Sequence, residues 1–194
     1  AGPGGKAALL AAEALRGDAE LVANELVPAR AGLVRNALSV FDAPPIVLEG
    51  DGTRFGSGTD AEAPGRYDRI LLDAPCTGLG ALRRRPEARW RKQRSDVAEL
   101  APLQSGLLDA AIAALAPGGL IAYVTCSPHL AETRDTVAAA LERHPALRVV
   151  DTPAVLSQIA TSELELPPGP AVQLWPHRHG TDAMFIQLLT TLES

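Results

Sequence analysis

Short apolar runs alternate along the chain with longer stretches in which apolar residues recur every three or four positions. The short runs are rich in Val, Ile and Leu, and they predict strands at residues 21–23, 46–48, 70–72, 120–124, 147–150 and 184–189. The helical periodicity predicts helices over residues 6–15, 27–38, about 103–115 and 130–143. Because strands that alternate with helices form parallel sheets covered on both faces, the pattern predicts an α/β fold.

Two segments do not fit this alternation, and both ends of the chain need separate explanation. Residues 56–65 combine glycine and proline with small polar residues, and residues 152–176 form a long proline-containing stretch, so both are predicted as loops. The last apolar run follows the preceding one without a crossover helix, which predicts an antiparallel last strand in a mostly parallel sheet. The chain opens on a glycine-rich turn, Gly2-Pro3-Gly4-Gly5, that normally follows the first, central strand. We therefore expect a fragment of a longer protein, with the first strand missing.

Length and composition restrict the remaining classes of protein. At 194 residues, with 46% apolar and 21% charged residues, the chain fits one globular domain and excludes a disordered polar tract. The formal charge of −5 excludes a protein that coats nucleic acid by bulk charge. The sequence contains neither an apolar run of membrane length nor a signal-peptide pattern, which predicts a cytoplasmic protein without membrane contact.

The metal-binding residue types do not form a ligand pattern. Cys76 and Cys126 lie 50 residues apart without a CxxC spacing, which favours reduced thiols over a zinc site or a disulfide. His177 and His179 are separated by one residue, but the sequence offers no third ligand nearby. We therefore predict no metal site.

Acidic residues follow three consecutive predicted strands. Glu25, Asp51 and Asp73 come at the carboxyl ends of these strands, which parallel strands place at one edge of the sheet. Crowded acids destabilise a protein unless they are paired, so three of them favour a ligand site. The glycine-rich turn alone is equally well explained as a plain turn, but an acid about 20 residues later is typical of nucleoside binding, with Glu25 on the ribose and Asp51 on the adenine. Without a phosphate-binding sequence, S-adenosylmethionine fits best.

Both cysteines also lie at the ends of predicted strands. Cys76 follows the apolar run at residues 70–72 and Cys126 follows the run at residues 120–124, and neighbouring parallel strands end at the same edge. We therefore expect Cys76, Cys126 and Asp73 to share one crevice. A single cysteine is more often a small buried apolar residue. The position of both cysteines at neighbouring strand ends favours thiol chemistry.

Four motifs carry a resemblance to a known enzyme family: Ala1-Gly2-Pro3-Gly4-Gly5-Lys6, Gly50-Asp51-Gly52, Leu72-Asp73-Ala74-Pro75-Cys76-Thr77-Gly78 and Thr125-Cys126-Ser127. In order and spacing they resemble the motifs of the Nop/Sun family of RNA cytosine-5 methyltransferases, and they are closest to its bacterial 16S rRNA methyltransferase B (Sun/Fmu) group. Residues 175–182 resemble the closing motif of the family. The resemblance implies a Rossmann-like class I methyltransferase sheet, with residues 1–194 as the catalytic domain.

The sequence also departs from the family pattern. The strand and the cysteine that usually precede the glycine-rich loop are absent, as is the N-terminal RNA-binding region. Ala183 and Met184 stand where the family often has Gly and Phe.

The resemblance further implies roles for individual residues. Cys126 would be the nucleophile whose thiolate adds to carbon 6 of cytosine, so that carbon 5 can accept a methyl group. Asp73 would stabilise charge on the base, and Cys76 would assist release of the product. The residues expected to contact S-adenosylmethionine are Ala1, Gly2, Pro3, Gly4, Gly5, Lys6, Glu25, Arg30, Asp51 and Asp73.

Basic residues are concentrated directly after the Cys76 motif. Residues 83–94 contain seven Lys or Arg and one acid, which leaves 11 basic and 22 acidic residues elsewhere. A charge run usually means a solvated linker, but its position beside the predicted active site favours RNA contacts. The predicted RNA-binding residues are Arg83, Arg84, Arg85, Arg89, Trp90 and Arg91.

The sequence thus favours S-adenosylmethionine-dependent methylation of carbon 5 of cytosine in rRNA, through a covalent cysteine adduct. A tRNA substrate or a different target base remains an alternative. A non-catalytic RNA-binding domain of the same fold is a second alternative, which the presence of both thiols disfavours.

Overall fold

The fold is described from a computed structural model of the chain, which covers residues 1–161 and 164–192. The chain divides into two compact units, Ala1–Arg54 and Phe55–Ser194. Each unit has its own cluster of buried apolar residues. The two units are described separately, and the assignment of residues 1–194 to one catalytic domain stays a prediction.

The first unit consists of two helices and a two-stranded parallel sheet. Its elements are α1 (Gly5–Arg16), β1 (Val22–Glu25), α2 (Pro28–Leu38) and β2 (Ile46–Glu49). Pro28 suits the first position of α2, because a proline lacks the N–H group that would remain unbonded there. Alanines on one side of α1 pack with Val34 and Leu38 of α2 against β1, so this core is built largely from small aliphatic side chains.

The second unit contains a five-stranded mixed sheet. Its elements are β3 (Tyr67–Asp73), α3 (Ala88–Arg91), α4 (Arg94–Ala114), β4 (Leu115–Thr125), α5 (Arg134–Arg143), β5 (Leu147–Val149), α6 (Thr152–Ile159), β6 (Val172–Gln173), α7 (Pro176–His179) and β7 (Phe185–Thr191). The order across the sheet is β3-β4-β7-β5, and β6 also pairs with β7. β3 and β4 are parallel, whereas β7 runs antiparallel to β4, β5 and β6. The predictions of an α/β fold and of an antiparallel last strand are therefore confirmed.

The core of the second unit lies around β4 and β7. Ile121 and Tyr123 of β4 are fully buried, as is Leu189 of β7, and the ring of Phe185 meets that of Tyr123 edge to face at 6.3 Å. Leu108 of α4 packs against the same cluster. The long apolar run of β4 is thus explained by its central position, with neighbours on both sides.

Two predicted helix boundaries are wrong. The helix predicted from about residue 103 begins at Arg94, where Gln93 and Asp96 form a reciprocal capping box and Pro102 is accommodated inside the helix. The helix predicted over residues 130–143 is a 3-10 turn (Leu130–Glu132) followed by α5, because the backbone at Thr133 leaves the helical region.

The predicted loop over residues 152–176 contains regular structure. It includes α6, β6 and the start of α7, whereas its residues 162–163 lie outside the described residues. The side chain of Asp151 caps α6 by accepting a hydrogen bond from the N–H of Ala154. This start signal was masked by the prolines around it.

Candidate active site

The two cysteines meet at one edge of the mixed sheet. β3 and β4 are parallel, with Asp73 opposite Val124, so the chain leaves both strands at the same level. The Sγ atoms of Cys76 and Cys126 lie 3.4 Å apart, within hydrogen-bonding distance. Both side chains are partly buried. The structure therefore brings together two thiols that are 50 residues apart in the chain.

The Cys76 thiol keeps its proton. Three effects raise the pKa of Cys76: its hydrogen bond with Cys126, its burial, and repulsion from the charges of Cys126 and Glu132. The hydrogen bond from the N–H of Gly78 acts in the opposite direction. By its geometry either sulfur can donate the shared hydrogen bond, and a protonated Cys76 can donate it to Cys126. Donation of this kind stabilises negative charge on the Cys126 sulfur.

Asp73 is the last residue of β3 and is exposed, three residues before Cys76 in the chain. The following residue, Ala74, is buried, and its N–H donates to the carbonyl of Val124 at 2.9 Å. This bond continues the β3–β4 pairing beyond Asp73. The predicted third member of the crevice is therefore at the same strand end as the thiols.

A third loop closes around the Cys126 backbone through Gly80. The N–H of Gly80 donates to the carbonyl of Cys126, and the N–H of Ala183 donates to the carbonyl of Gly80, both at 2.9 Å. A Cβ on Gly80 would overlap the carbonyl oxygen of Ala183 and lie 2.8 Å from that of Cys126. Only glycine allows these three segments to approach so closely. Sequence reasoning missed this residue, and the sole signal was a second glycine two positions after Gly78.

Glu132 is a buried acid at the centre of this region that sequence reasoning also missed. Its carboxylate accepts hydrogen bonds from Thr77, Gln104 and Ser127. The Glu132 side chain is fully buried. An acid near the start of a predicted helix is ordinary, so the sequence carried no sign that this one lies inside the protein.

In the basic segment, defined as residues 83–94, two arginines lie close to the carboxylate of Asp182. The Arg84 guanidinium donates to Oδ2 of the buried Asp182 through Nε at 2.8 Å and Nη2 at 2.5 Å. This hydrogen bond raises the pKa of Arg84 and lowers that of Asp182, and the Cys126 sulfur acts on Arg84 in the same direction. Arg83 lies 3.7 Å from the other oxygen of Asp182. Two predicted RNA-binding arginines thus face a carboxylate of the protein itself.

The other predicted RNA-binding residues are exposed. Trp90 is 85% exposed in the short helix α3, between Arg89 and Arg91. Arg85 is exposed as well. An aromatic ring presented to solvent, with an arginine on either side of it in the sequence, suits stacking on an unpaired base.

In the first unit, the glycine-rich turn packs closely against α2. Gly4 has a φ of +115°, and a Cβ there would lie 2.7 Å from the Cβ of Ala37. A Cβ on Gly2 would lie 2.9 Å from the Cβ of Arg30. The turn leads into α1, whose first N–H groups receive no side-chain cap from Gly4. Pro3 and Lys6 of the same motif are exposed.

Glu25 is buried, and its carboxylate is occupied by donors of the protein. Oε2 accepts from the N–H of Gly2 at 2.9 Å and the amino group of Ala1 at 3.1 Å. Oε1 accepts from the N–H of Val27 at 3.1 Å and lies 2.7 Å from Arg30. Burial opposes ionisation, but the hydrogen bonds from Gly2 and Val27, together with the amino group of Ala1, lower the pKa of Glu25 to about 2. Donors of the protein itself therefore engage both carboxylate oxygens of Glu25.

Asp51 is better placed for a ligand. It is exposed after β2, and the hydrogen bond from the N–H of Thr53 at 2.9 Å lowers its pKa. An ionised, solvent-facing carboxylate fits an amino group such as that of adenine. The donor set of this unit therefore fits a nucleoside cofactor at Asp51 and the glycine-rich turn, whereas the contact of Asp73 with the cofactor stays a prediction.

Among residues 1–161 and 164–192, no group of His, Cys, Asp and Glu side chains could hold a metal ion. His179 instead accepts, through Nδ1, a hydrogen bond from the N–H of Trp175, the residue that precedes α7. No helix in the described part of the chain is long and apolar enough to cross a membrane.

The comparison that decides the family is a sequence profile. The profile of the family described as 16S rRNA methyltransferase RsmB/F matches residues 1–190. The chain belongs to this family. The resemblance drawn from the motifs is thereby confirmed, and so is S-adenosylmethionine as the cofactor of the RsmB/F methyltransferases.

Individual relatives agree with the RsmB/F assignment. The Mycobacterium tuberculosis (strain H37Rv) protein Rv1407 is 55% identical over 192 residues, which are 99% of this chain and 39% of that protein. Ribosomal RNA small subunit methyltransferase B of Salmonella typhi is 38% identical over 152 residues, 78% of this chain and 34% of that protein. The RsmB/F chain thus spans little more than a third of the length of these relatives.

Solved structures confirm the class I methyltransferase fold. The crystal structure of PH0851 matches with a TM-score of 0.85 and 28% identity, over 98% of this chain and 41% of that chain. The structure of NSun6 from Pyrococcus horikoshii with SFG matches with a TM-score of 0.80 and 24% identity, over 100% of this chain and 47% of that chain.

Proposed function

We propose that this RsmB/F chain is the catalytic part of an S-adenosylmethionine-dependent methyltransferase that modifies carbon 5 of cytosine in small-subunit rRNA. The observation that carries the proposal is the 3.4 Å separation of the Cys76 and Cys126 sulfurs at the ends of β3 and β4. Covalent activation of a pyrimidine requires a nucleophile such as a thiolate, and a neighbouring thiol can support that thiolate by a hydrogen bond. A domain that only binds RNA has no use for this pair.

Cys126 is the nucleophile in this proposal. Its thiolate forms a bond from Sγ to carbon 6 of cytosine, and the electron pair of the 5,6 double bond becomes available at carbon 5. S-adenosylmethionine, when bound, supplies the methyl group that carbon 5 takes up. Transfer of the carbon 5 proton to solvent water then restores the double bond and breaks the bond between carbon 6 and Cys126, which leaves as a thiolate.

Cys76 assists both the attack of the Cys126 thiolate and its later departure. Its S–H donates to the Cys126 sulfur, which supports the thiolate before it attacks and again when it leaves. The proximity of Cys76 to the leaving sulfur supports its role in product release. Asp73, exposed at the same strand end, stabilises charge on the base through the exocyclic amine and ring nitrogen.

The cofactor and RNA contacts complete the proposal. S-adenosylmethionine binds the glycine-rich turn and Asp51, with Glu25 and Arg30 as the ion pair beneath the turn. RNA binds the exposed basic segment around Trp90. The name of the family and of the Salmonella relative supports rRNA rather than tRNA as the substrate.

A trapping experiment tests this function. RNA that carries 5-fluorocytosine has no removable proton at carbon 5, so the adduct with Cys126 should persist. We expect the wild-type protein with S-adenosylmethionine to give an RNA-linked band on denaturing, reducing electrophoresis, and Cys126→Ser to give none. Parallel reactions with 16S rRNA and tRNA distinguish the substrates. A wild-type protein that traps neither RNA contradicts the proposal and favours a non-catalytic role.

Replacement of Cys76 tests product release. With ordinary RNA, Cys76→Ala should accumulate RNA-linked protein, because the departing Cys126 thiolate loses its hydrogen-bond donor. The double variant Cys76→Ala with Cys126→Ser is the control and should show no linked species. A Cys76→Ala protein that migrates free of RNA while it turns over normally would contradict the release role.

A further inference from the structure

Glu132 is the one fully buried carboxylate among the described residues at the thiol site, and the proposed reaction does not use it directly. It lies in the 3-10 turn Leu130–Glu132 between β4 and α5. An ionised acid inside a protein is destabilising unless its oxygens are hydrogen-bonded. The position of Glu132 therefore calls for an explanation beyond packing.

The carboxylate is hydrogen-bonded by four neutral donors. Oε1 accepts from the N–H of Thr77 at 2.7 Å and the side-chain amide of Gln104 at 3.2 Å. Oε2 accepts from the hydroxyl groups of Thr77 at 2.6 Å and Ser127 at 2.5 Å. Donors of this kind can hold a carboxylate in place without a cation beside it.

The donors belong to the two loops that carry the sulfurs. Thr77 directly follows Cys76, and Ser127 directly follows Cys126. The amide of Gln104 also donates to the carbonyl of Pro75 at 2.8 Å, on the other side of Cys76. A single carboxylate therefore ties together the residues next to both sulfurs.

Glu132 is itself held in place. The buried hydroxyl group of Tyr123 donates to the backbone carbonyl of Glu132 at 3.0 Å. The hydroxyl of Thr133 donates to the carbonyl of His129 at 2.9 Å, which fixes the same turn. The carboxylate thus works from a rigid support rather than from a mobile loop.

We propose that Glu132 is a positioning residue that ties the Cys76 and Cys126 loops together and thereby holds the two sulfurs within hydrogen-bonding distance of each other. This inference rests on the proposed function for its catalytic consequence, but its geometric consequence is independent of RNA. The negative charge of Glu132 also helps to keep the proton on Cys76, which supports the same role.

The test uses Glu132→Gln, which preserves the shape of the side chain but removes the charge and turns an acceptor into a donor. We expect kcat to fall about 10- to 100-fold, with KM for RNA and S-adenosylmethionine within about twofold of wild type. Glu142→Gln, an exposed acid on α5, is the matched control and should change none of these values.

A second measurement does not depend on methylation. A trivalent arsenical, phenylarsine oxide, bridges two thiols a few ångströms apart with release of one water. Wild type and Glu142→Gln should bind one equivalent through Cys76 and Cys126, Cys76→Ala should not form the bridge, and Glu132→Gln should bind at least tenfold more weakly. If wild type proved inactive on RNA, this measurement would still decide the role of Glu132.

Thr77→Val and Ser127→Ala test the same proposal even if Glu132→Gln fails to fold, because each removes only one hydroxyl donor to Glu132. Each should lower kcat about three- to tenfold and weaken arsenical binding, with the thermal midpoint within a few degrees of wild type. Folded variants at all three positions with kcat and arsenical affinity within twofold of wild type would overturn the proposal.

Discussion

The Cys76 thiol and the Glu25 carboxyl are both shielded from solvent, yet their pKa values move in opposite directions. Cys76 shares a hydrogen bond with a second sulfur and is buried, and both effects disfavour its thiolate. Burial also disfavours the charged form of Glu25, but the N–H groups of Gly2 and Val27 outweigh it. The neighbouring groups therefore decide which residue carries charge at neutral pH.

The lowered pKa of Glu25 predicts that the folded protein loses stability in acid. The folded pKa of about 2 lies below the ordinary 4.5, so the stabilisation is present above pH 4.5 and disappears as the pH falls towards 2. The shift corresponds to about 3 kcal/mol of unfolding free energy. Urea unfolding followed by circular dichroism between pH 5 and pH 2 measures it.

Glu25→Gln should remove most of this pH dependence. The exposed Glu20→Gln is the matched control in the same unit and should retain it. Equal acid dependence in wild type and Glu25→Gln would show that other carboxyl groups dominate.

At the scale of elements, the site depends on the parallel pairing of β3 with β4. Their register sets Asp73 opposite Val124, and the loops that follow bring the two sulfurs together. Gly80 then joins these loops to the segment before β7. The geometry of the site thus follows from how three strand ends converge, and one added methyl group can disturb it.

Gly80→Ala should therefore disrupt the site more than the fold. The new Cβ would overlap the carbonyl of Ala183, so the backbone must shift at a destabilisation of about 1–3 kcal/mol. We expect methylation to fall at least 100-fold by initial-rate assay, with phenylarsine oxide bridging weakened. Gly32→Ala in α2 has nothing within 4 Å of the new Cβ and is the control, with unchanged or slightly raised stability. Full activity in Gly80→Ala would contradict the tight packing.

At the scale of the whole molecule, charge is separated along the sequence. The net charge is −5, although residues 83–94 contain seven basic residues and one acid. In the proposed function, electrostatic attraction of RNA therefore acts locally, through residues 83–94, and against the overall charge. Within the basic segment, Arg84 is held by Asp182, whereas Arg85 and the α3 residues Arg89, Trp90 and Arg91 are exposed.

Trp90→Ala should weaken RNA binding about tenfold without affecting folding, because the ring is 85% exposed and stacking contributes about 1–3 kcal/mol per base. Arg89→Gln should lower affinity and reduce the dependence on salt concentration by roughly one phosphate contact. Filter binding across a salt series measures both. Ile159→Ala on α6, 70% exposed, is the control for loss of surface apolar area. Unchanged RNA affinity in both α3 variants would place the RNA elsewhere.

The sequence by itself determined the alternation of strands and helices, the antiparallel last strand, the strand-end motifs and the family. These are local properties, because periodicity reports which side of an element is buried and a motif keeps its spacing in the chain. The contacts of Glu132 with Thr77, 55 residues away, and of Arg84 with Asp182, 98 residues away, were decided only by the tertiary structure. No local pattern distinguishes a solvated acid from one that packing encloses, since burial depends on which distant elements come to lie around it.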